Sequence, residues 1–220
     1  MPWKLVIYDW DGTLADSIRW SHRITGAIFS HFGLPVPSFA DYIRNYQTTR
    51  NGFLGYYRAR GLSDSVTSEE LTALWLRFSL AFRSELELRP GALHVLRVAK
   101  IRRMHTAIVS SNTTELISSA LAGFGVDRLI DYVKGYADEK AAELSLALAH
   151  FGVKPSEAVY VDDTPQGIRA ALRVGMDTIA IEGGAGDRDE LLLSGPGSCV
   201  KHLDDVVRLL SCSDSGVLEA

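Results

Sequence analysis

Apolar positions along the chain follow two different patterns. Continuous apolar runs bounded by turn residues predict buried strands, and these runs are 4–8, 106–109, 158–161 and 178–181, with a shorter extended segment at 129–133. Apolar residues spaced by three and four predict the helices between them, at 90–103, 113–122 (ended by Gly123), 139–151 (capped by Asp138), Pro165 to Gly175, and 201–211. Strands that alternate with helices predict a parallel sheet with right-handed crossovers, an α/β Rossmann-like fold.

In residues 16–88, apolar positions show only the spacing of helices, with no run typical of a strand. Apolar residues recur every three or four positions from Ser17 to His31, and the sequence TSEE at 67–70 has the spacing of a capping box that starts another helix. We therefore expect an α/β core of residues 1–15 and 89–220, with a helical cap domain of residues 16–88 inserted after the first strand. Linkers at its two ends would let the cap move as a lid.

Composition and charge narrow the classes of partner. Among the 220 residues, 23 Lys and Arg stand against 27 Asp and Glu, a net charge of −4. This balance argues against nucleic acid as a partner, because phosphate backbones require a basic surface. No apolar run approaches the ~20 residues that cross a bilayer, so we expect no membrane partner. Cys199 and Cys212 are too few for a disulfide framework. We expect a cytoplasmic protein, and its oligomeric state stays open.

Polar residues follow three of the predicted strands at the point where each strand ends. They are Asp9 and Asp11, Ser110 and Ser111, and Asp162 and Asp163. In open parallel sheets, ligands bind outside the carboxyl ends of the strands. If the three strands are neighbours in the sheet, these side chains meet in one site.

Asp9 and Asp11 follow a buried strand, where an ionised carboxylate is costly unless it is paired or binds a metal. Two carboxylates together indicate a cation, and oxygen ligands select hard ions such as Mg²⁺. A carboxylate can also attack phosphorus to give an aspartyl-phosphate, while a second carboxyl acts as general acid and base. The alternative is a plain Asp-Gly turn, in which Gly12 allows the sharp bend.

Residues 9–17, DWDGTLADS, closely resemble the nucleophile motif of the haloacid dehalogenase-like hydrolases. The resemblance is strongest to the subgroup of phosphoglycolate phosphatases and β-phosphoglucomutases. It implies that Asp9 is the nucleophile and that Asp11 is the general acid/base and offers its backbone carbonyl to the metal. It also implies Mg²⁺ as cofactor, with Asp9 and Asp11 among its ligands and with Gly12 and Thr13 in contact with the phosphate.

A second family motif places a Ser or Thr at a strand end, where it holds the transferring phosphoryl group. Ser110 occupies that place, and the resemblance implies that Ser111 and Asn112 supply further donors to the phosphate. The alternative is that these residues cap the following helix, since Ser and Asn favour such positions. The two interpretations are compatible, because a strand-to-helix turn leaves N–H groups for an anion in either case.

The sequence VDDTPQGIRAA at 161–171 resembles the paired-acid motif of the same subgroup. The resemblance implies that Asp163 is a direct Mg²⁺ ligand and that Asp162 assists directly or through water. Many relatives carry a further acid where Gly167 stands, and this chain shares the glycine with the mutase-like pattern. The alternative is a helix cap formed by Asp-Asp-Thr-Pro.

The family also uses a lysine that neutralises the phosphate and the nucleophile, and the Lys-Pro pattern of many relatives is missing here. Lys140, at the start of a predicted helix, is the first candidate and Lys134 the second; the alternative is a solvated lysine.

In the cap, Arg50 is the candidate for binding a substrate anion. The alternative is that Arg50 is an ordinary surface arginine. The glycines of 182–186 lack the spacing of a dinucleotide motif, so we interpret this segment as a turn.

The resemblance implies a Mg²⁺-dependent phosphomonoester hydrolase that forms an aspartyl-phosphate. Its substrate would be a small phosphorylated metabolite such as phosphoglycolate or a sugar phosphate. A phosphomutase of the β-phosphoglucomutase type shares every core motif and stays as one alternative. A relative that binds ligand without catalysis is the other, because the position of the lysine departs from the family pattern.

Overall fold

The computed structural model describes residues 3–45 and 52–212, and the chain divides into two compact units. One unit comprises Met1–Ala15 and Leu88–Ala220, and the other comprises Asp16–Glu87. The strands are β1 Leu5–Tyr8, β2 Ala15–Asp16, β3 Glu87–Leu88, β4 His105–Val109, β5 Tyr132–Lys134, β6 Ala158–Asp162, β7 Asp177–Ile181 and β8 Ser198–Val200.

The helices of the described residues separate these strands. They are α1 Ile18–His31, α2 Phe39–Asn45, α3 Gly52–Arg58, α4 Ser68–Ala81, α5 Ala92–Ile101, α6 Thr114–Phe124, α7 Lys140–Phe151, α8 Pro165–Val174, α9 Arg188–Leu193 and α10 Leu203–Cys212. Short 3₁₀ turns lie at Arg83–Glu85, Asp127–Leu129 and Pro155–Glu157. Within these described ranges, no helix combines the length and apolar character needed to cross a membrane.

Six strands of the larger unit, as far as the structure describes it, form one parallel sheet in the order β5-β4-β1-β6-β7-β8. Every residue of β1 and β6 is buried. Such continuous apolar strands suit a sheet covered on both faces. The predicted α/β Rossmann-like fold is confirmed. Because β1 lies between β4 and β6, the residues that follow these three strands emerge side by side.

Three details of the predicted elements were wrong. Helix α6 runs through Gly123 and ends before Gly125, which has a φ of +66°. Glycine adopts this left-handed conformation at little cost and therefore ends helices, whereas a glycine inside a helix is tolerated. Helix α7 has Glu139 rather than Asp138 at its N-cap, with no side-chain cap bond. The extended segment predicted at 129–133 lies instead at β5, Tyr132–Lys134, after a 3₁₀ turn.

The smaller unit is helical in its described part. The predicted capping box is confirmed at the start of α4, where Thr67 Oγ1 accepts from Glu70 N at 3.2 Å and Thr67 N donates to the Glu70 carboxylate at 2.9 Å. Helix α1 buries Ile24, Ile28 and Phe29 on one face. This pattern of three- and four-residue spacing is why the sequence predicted the helix correctly.

Candidate active site

The carboxyl edge of the parallel sheet gathers the polar residues that end or follow β1, β4 and β6. Asp9, Ser110 and Asp162 are all buried, at 4%, 1% and 0% exposure. The backbone N–H of Asp9 donates to Val161 O at 2.9 Å, which joins the end of β1 to the end of β6. The tertiary structure therefore brings the three sequence motifs together, as neighbouring parallel strands require.

Lys140, the first residue of α7, reaches two of these carboxylates. Its Nζ lies 2.9 Å from Asp9 Oδ1 and 2.7 Å from Asp162 Oδ2. Its side chain is only 16% exposed. The second candidate, Lys134, lies 3.4 Å from Glu143 instead. Of the two lysines considered from the sequence, Lys140 is the one that contacts the predicted nucleophile.

Asp162 accepts four hydrogen bonds. Lys140 Nζ and the Tyr160 hydroxyl each donate to Oδ2 at 2.7 Å, and Thr164 donates to Oδ1 through its N–H at 2.6 Å and its hydroxyl at 2.7 Å. These donors occupy the roughly four lone-pair positions of a carboxylate. A Cβ at Gly167 would lie 1.9 Å from Asp162 Oδ2, so no side chain fits at that position.

Asp163 is held by two separate loops. Thr13 Oγ1 donates to its Oδ1 at 3.1 Å, and Ala185 N donates to its Oδ2 at 2.6 Å. A Cβ at Gly12 or Gly184 would lie 2.2 or 2.0 Å from Oδ2, so both loops pack their backbone directly on this carboxylate. The segment interpreted from sequence as a plain turn therefore contributes to the site. The Thr13 hydroxyl, expected at the phosphate, is directed to Asp163.

The loop after β4 reaches Asp11. Asn112 Nδ2 donates to Asp11 Oδ2 at 2.8 Å, and the Asn112 N–H donates to Ser110 Oγ at 3.4 Å. Thr113, rather than Ser110 or Asn112, caps helix α6 with its side chain. Ser111 is exposed. Arg50, the candidate for binding a substrate anion, lies outside the described residues.

Burial and charge act together on the ionisable groups of this site. Burial raises the pKa of Asp9 well above its ordinary value, and the charges of Asp162, Asp163 and Asp11 add to this while Lys140 opposes it. Burial and the charge of Asp162 raise the pKa of Asp163 to about 7. Burial disfavours the ammonium of Lys140, but Asp162 and Asp9 outweigh it and raise its pKa. The carboxylates therefore stay ionised most readily beside a further cation.

Asp9, Asp162 and Asp163 each present a carboxylate oxygen within 4.8 Å of the others, and no other acidic, His or Cys group of this kind occurs in the described residues. Because the donors to Asp162 occupy its lone pairs, Asp9 and Asp163 would be the better ligands for a cation. Among the described contacts, Asp163 accepts one hydrogen bond on each oxygen, which leaves a lone pair on each. Buried all-oxygen donors of this kind fit Mg²⁺.

Two residues that no sequence motif contains, Tyr160 and Ala185, also support this site. Tyr160 precedes Asp162 by two positions in β6, so strand alternation places both on one face. That alternation was a usable signal in the sequence. Ala185 acts through its backbone N–H, and no feature of its side chain predicts the contact.

The parallel sheet and the buried acidic group at its carboxyl edge define an α/β protein with a ligand site where such folds bind their ligands. Residues 6–181 match the family described as haloacid dehalogenase-like hydrolase. The chain belongs to this family, and the resemblance inferred from its motifs is confirmed.

Curated relatives agree with this assignment, and the solved structures bear on the fold. The chain is 26% identical over 210 residues to a phosphoglycolate phosphatase of Synechococcus elongatus, covering 94% of this chain and 97% of that protein. It is 22% identical over 222 residues to phosphoglycolate phosphatase 1 of Pseudomonas aeruginosa, covering 96% and 80%. A haloacid dehalogenase-like hydrolase of Streptococcus pneumoniae superposes with a TM-score of 0.81 at 21% identity, covering 94% and 98%, and supports the fold.

Proposed function

We propose that the protein is a Mg²⁺-dependent phosphomonoester hydrolase that forms an aspartyl-phosphate on Asp9. The observation that carries this proposal is the position of Lys140, whose ammonium bridges Asp9 Oδ1 and Asp162 Oδ2. A cation held against the attacking carboxylate lowers its repulsion from the negatively charged phosphate. Positioning and charge neutralisation are the main sources of catalysis in phosphoryl transfer.

In the first step, a carboxylate oxygen of Asp9 attacks phosphorus and the bond from phosphorus to the ester oxygen breaks. Asp11, held by Asn112 at 2.8 Å, gives its proton to the departing oxygen. In the second step, water attacks the same phosphorus and gives a proton back to Asp11. The bond between phosphorus and Asp9 then breaks, which releases inorganic phosphate and restores both side chains.

Mg²⁺ would be held by Asp9, Asp163 and the backbone carbonyl of Asp11. Asp162 would assist indirectly, because its four hydrogen bonds occupy it and direct Lys140 toward Asp9. When bound, the ion supplies positive charge that neutralises the phosphate oxygens. The Ser110 hydroxyl and the N–H group of Ser111 would hold the phosphoryl group at the end of β4. Asn112, whose N–H donates to Ser110 Oγ, would orient that hydroxyl.

The substrate would be a small phosphorylated metabolite. The curated relatives named above are phosphoglycolate phosphatases, which supports a small phosphorylated acid, and sugar phosphates have the same reacting group. The inserted unit Asp16–Glu87 would act as the cap that selects among them. Arg50 within it would bind an anionic group of the substrate.

Release of inorganic phosphate from a panel of phosphomonoesters, including phosphoglycolate and several sugar phosphates, tests the proposal. We expect release that requires Mg²⁺, stops with EDTA and disappears in Asp9→Asn. Asp127→Asn, which changes an exposed carboxylate, is the matched control and should behave as the unaltered protein. Absence of release above the Asp9→Asn blank would overturn the hydrolase. Phosphoryl transfer to a second hydroxyl in the presence of a sugar bisphosphate would identify the mutase.

A further inference from the structure

Arg89 connects two loops of the larger unit through its guanidinium group. Nη1 donates to the carbonyl oxygen of Gly12, in the loop after β1, and Nη2 donates to the carbonyl oxygen of Glu182 at 2.6 Å, directly after β7. The backbone N–H of Arg89 also donates to Leu14 O at 2.8 Å. One residue, at the start of the segment that returns to this unit, thus bonds to both loops.

The sheet itself does not join these two loops. In the strand order, β6 lies between β1 and β7, so no backbone ladder pairs β1 with β7. The distance between the loops therefore depends on side-chain contacts and on the packing around the end of β6. A planar guanidinium with five N–H donors suits this role, because it can reach two carbonyls in a fixed geometry.

Both loops hold Asp163. The loop after β1 supplies the Thr13 hydroxyl, and the loop after β7 supplies the Ala185 N–H. Each also places a glycine against Asp163 Oδ2 so closely that no Cβ fits. A change in the separation of the two loops would therefore shift this carboxylate.

We infer that Arg89 is a positioning residue for the metal-binding carboxylate Asp163, which it orients by joining the Gly12 and Glu182 loops. The inference rests on the metal site of the proposed function. Groups that hydrogen-bond a metal ligand directly typically contribute tenfold or more to metal affinity, and Arg89 acts on two such groups, Thr13 and Ala185, through their loops. Loss of Arg89 should act on the affinity for Mg²⁺ more than on the chemistry at saturating Mg²⁺.

Calorimetric titration of the folded protein with Mg²⁺ alone tests this inference. In Arg89→Met we expect Mg²⁺ to bind about tenfold more weakly, and in Arg89→Lys we expect only part of the affinity to return. A lysine keeps the charge but has no planar guanidinium whose two nitrogens can each donate to one of the carbonyls. The matched control is Arg97→Met, which changes an exposed arginine of α5 and should leave Mg²⁺ binding as it is.

A second readout separates positioning from a general loss of stability. The Mg²⁺ concentration for half-maximal phosphate release should rise in both Arg89 variants, while kcat at saturating Mg²⁺ recovers. Unchanged Mg²⁺ affinity in folded Arg89→Met, or full restoration by lysine, would overturn the inference. If Arg89→Met does not fold, Arg89→Lys decides alone through the same titration. Failure of the unaltered protein to bind Mg²⁺ would overturn the metal site of the proposed function and this inference with it.

Discussion

The hydroxyl of Tyr160 donates to Asp162 Oδ2 at 2.7 Å, and Lys140 Nζ donates to the same oxygen at the same distance. Tyr160 and Asp162 are both fully buried. The tyrosine thereby restrains the carboxylate that directs Lys140 toward Asp9. Tyr160 belongs to none of the motifs, and it acts on the site through Asp162.

Tyr160→Phe removes that hydroxyl, so the buried Asp162 carboxylate loses one hydrogen bond. Such bonds contribute about 2 kcal/mol to stability. We expect the free energy of unfolding to fall by about that amount in urea denaturation at neutral pH. A modest loss of phosphatase activity should accompany it, because Lys140 loses part of its restraint.

Tyr8→Phe is the matched control on the neighbouring strand β1. The Tyr8 hydroxyl is fully buried and has no hydrogen-bond partner among the described contacts. Its removal relieves an unsatisfied polar group, so stability should stay the same or rise by about 1 kcal/mol. Equal destabilisation by both substitutions would contradict the role assigned to the Tyr160 hydroxyl.

Replacing each of the two candidate lysines by methionine should have very different effects on kcat for phosphate release. Lys140→Met removes the ammonium that contacts Asp9, and we expect kcat for phosphate release to fall by about 10²–10³-fold. Lys134→Met breaks only a partly exposed pair with Glu143, away from Asp9, and should leave kcat near that of the unaltered protein. Steady-state assays on the best substrate of the panel measure both. A larger loss in Lys134→Met would reverse the assignment.

The close approach of Gly184 to Asp163 predicts a steric effect on metal binding. In Gly184→Ala the new Cβ would lie 2.0 Å from Asp163 Oδ2 and must displace it. We expect Mg²⁺ affinity to fall by about tenfold or more in calorimetric titration. In Gly123→Ala, where nothing lies within 4 Å of the new Cβ, affinity should be unchanged.

Acid should lower the stability of the native state, in part because Asp131 becomes protonated. Partial burial disfavours its carboxylate, but hydrogen bonds from Lys100 at 2.5 Å and from Thr106 N at 2.9 Å outweigh burial and lower its pKa below 3.8. A carboxyl whose pKa is depressed by folding stabilises the native state above its unfolded pKa. That contribution is lost as the pH falls through the folded value.

Asp131→Asn should therefore lower the midpoint of urea denaturation at neutral pH, and the difference from the unaltered protein should shrink below a pH of about 4. Asp64→Asn, which changes a side chain that is 96% exposed, is the control and should show little difference at either pH. A difference for Asp131→Asn that persists undiminished in acid would argue for lost packing rather than lost charge.

Local patterns predicted the motifs and the four longer strands β1, β4, β6 and β7, but left the two- and three-residue strands β2, β3 and β8 unpredicted and misplaced some helix ends. The runs LVIY and AVYV indicate buried strands because their apolar character depends only on neighbours in the chain. The end of α6 was misplaced because Gly123 and Gly125 look alike in sequence, and only the backbone conformation separates them. Helices α2 and α3 lie in the segment predicted as helical, but their bounds were not predicted because seven residues show too few turns of a helical period.

The sequence by itself determined the parallel α/β class, the family and the acidic groups at the strand ends, since each depends on residue type and spacing within one segment. Only the tertiary structure decided that Lys140 rather than Lys134 contacts Asp9, and that Thr13 and Ala185 hold Asp163. These contacts join segments far apart in the chain. They depend on the sheet order and on the course of the loops, and the Ala185 contact uses a backbone N–H, a group that nearly every residue carries and that gives no signal in the sequence.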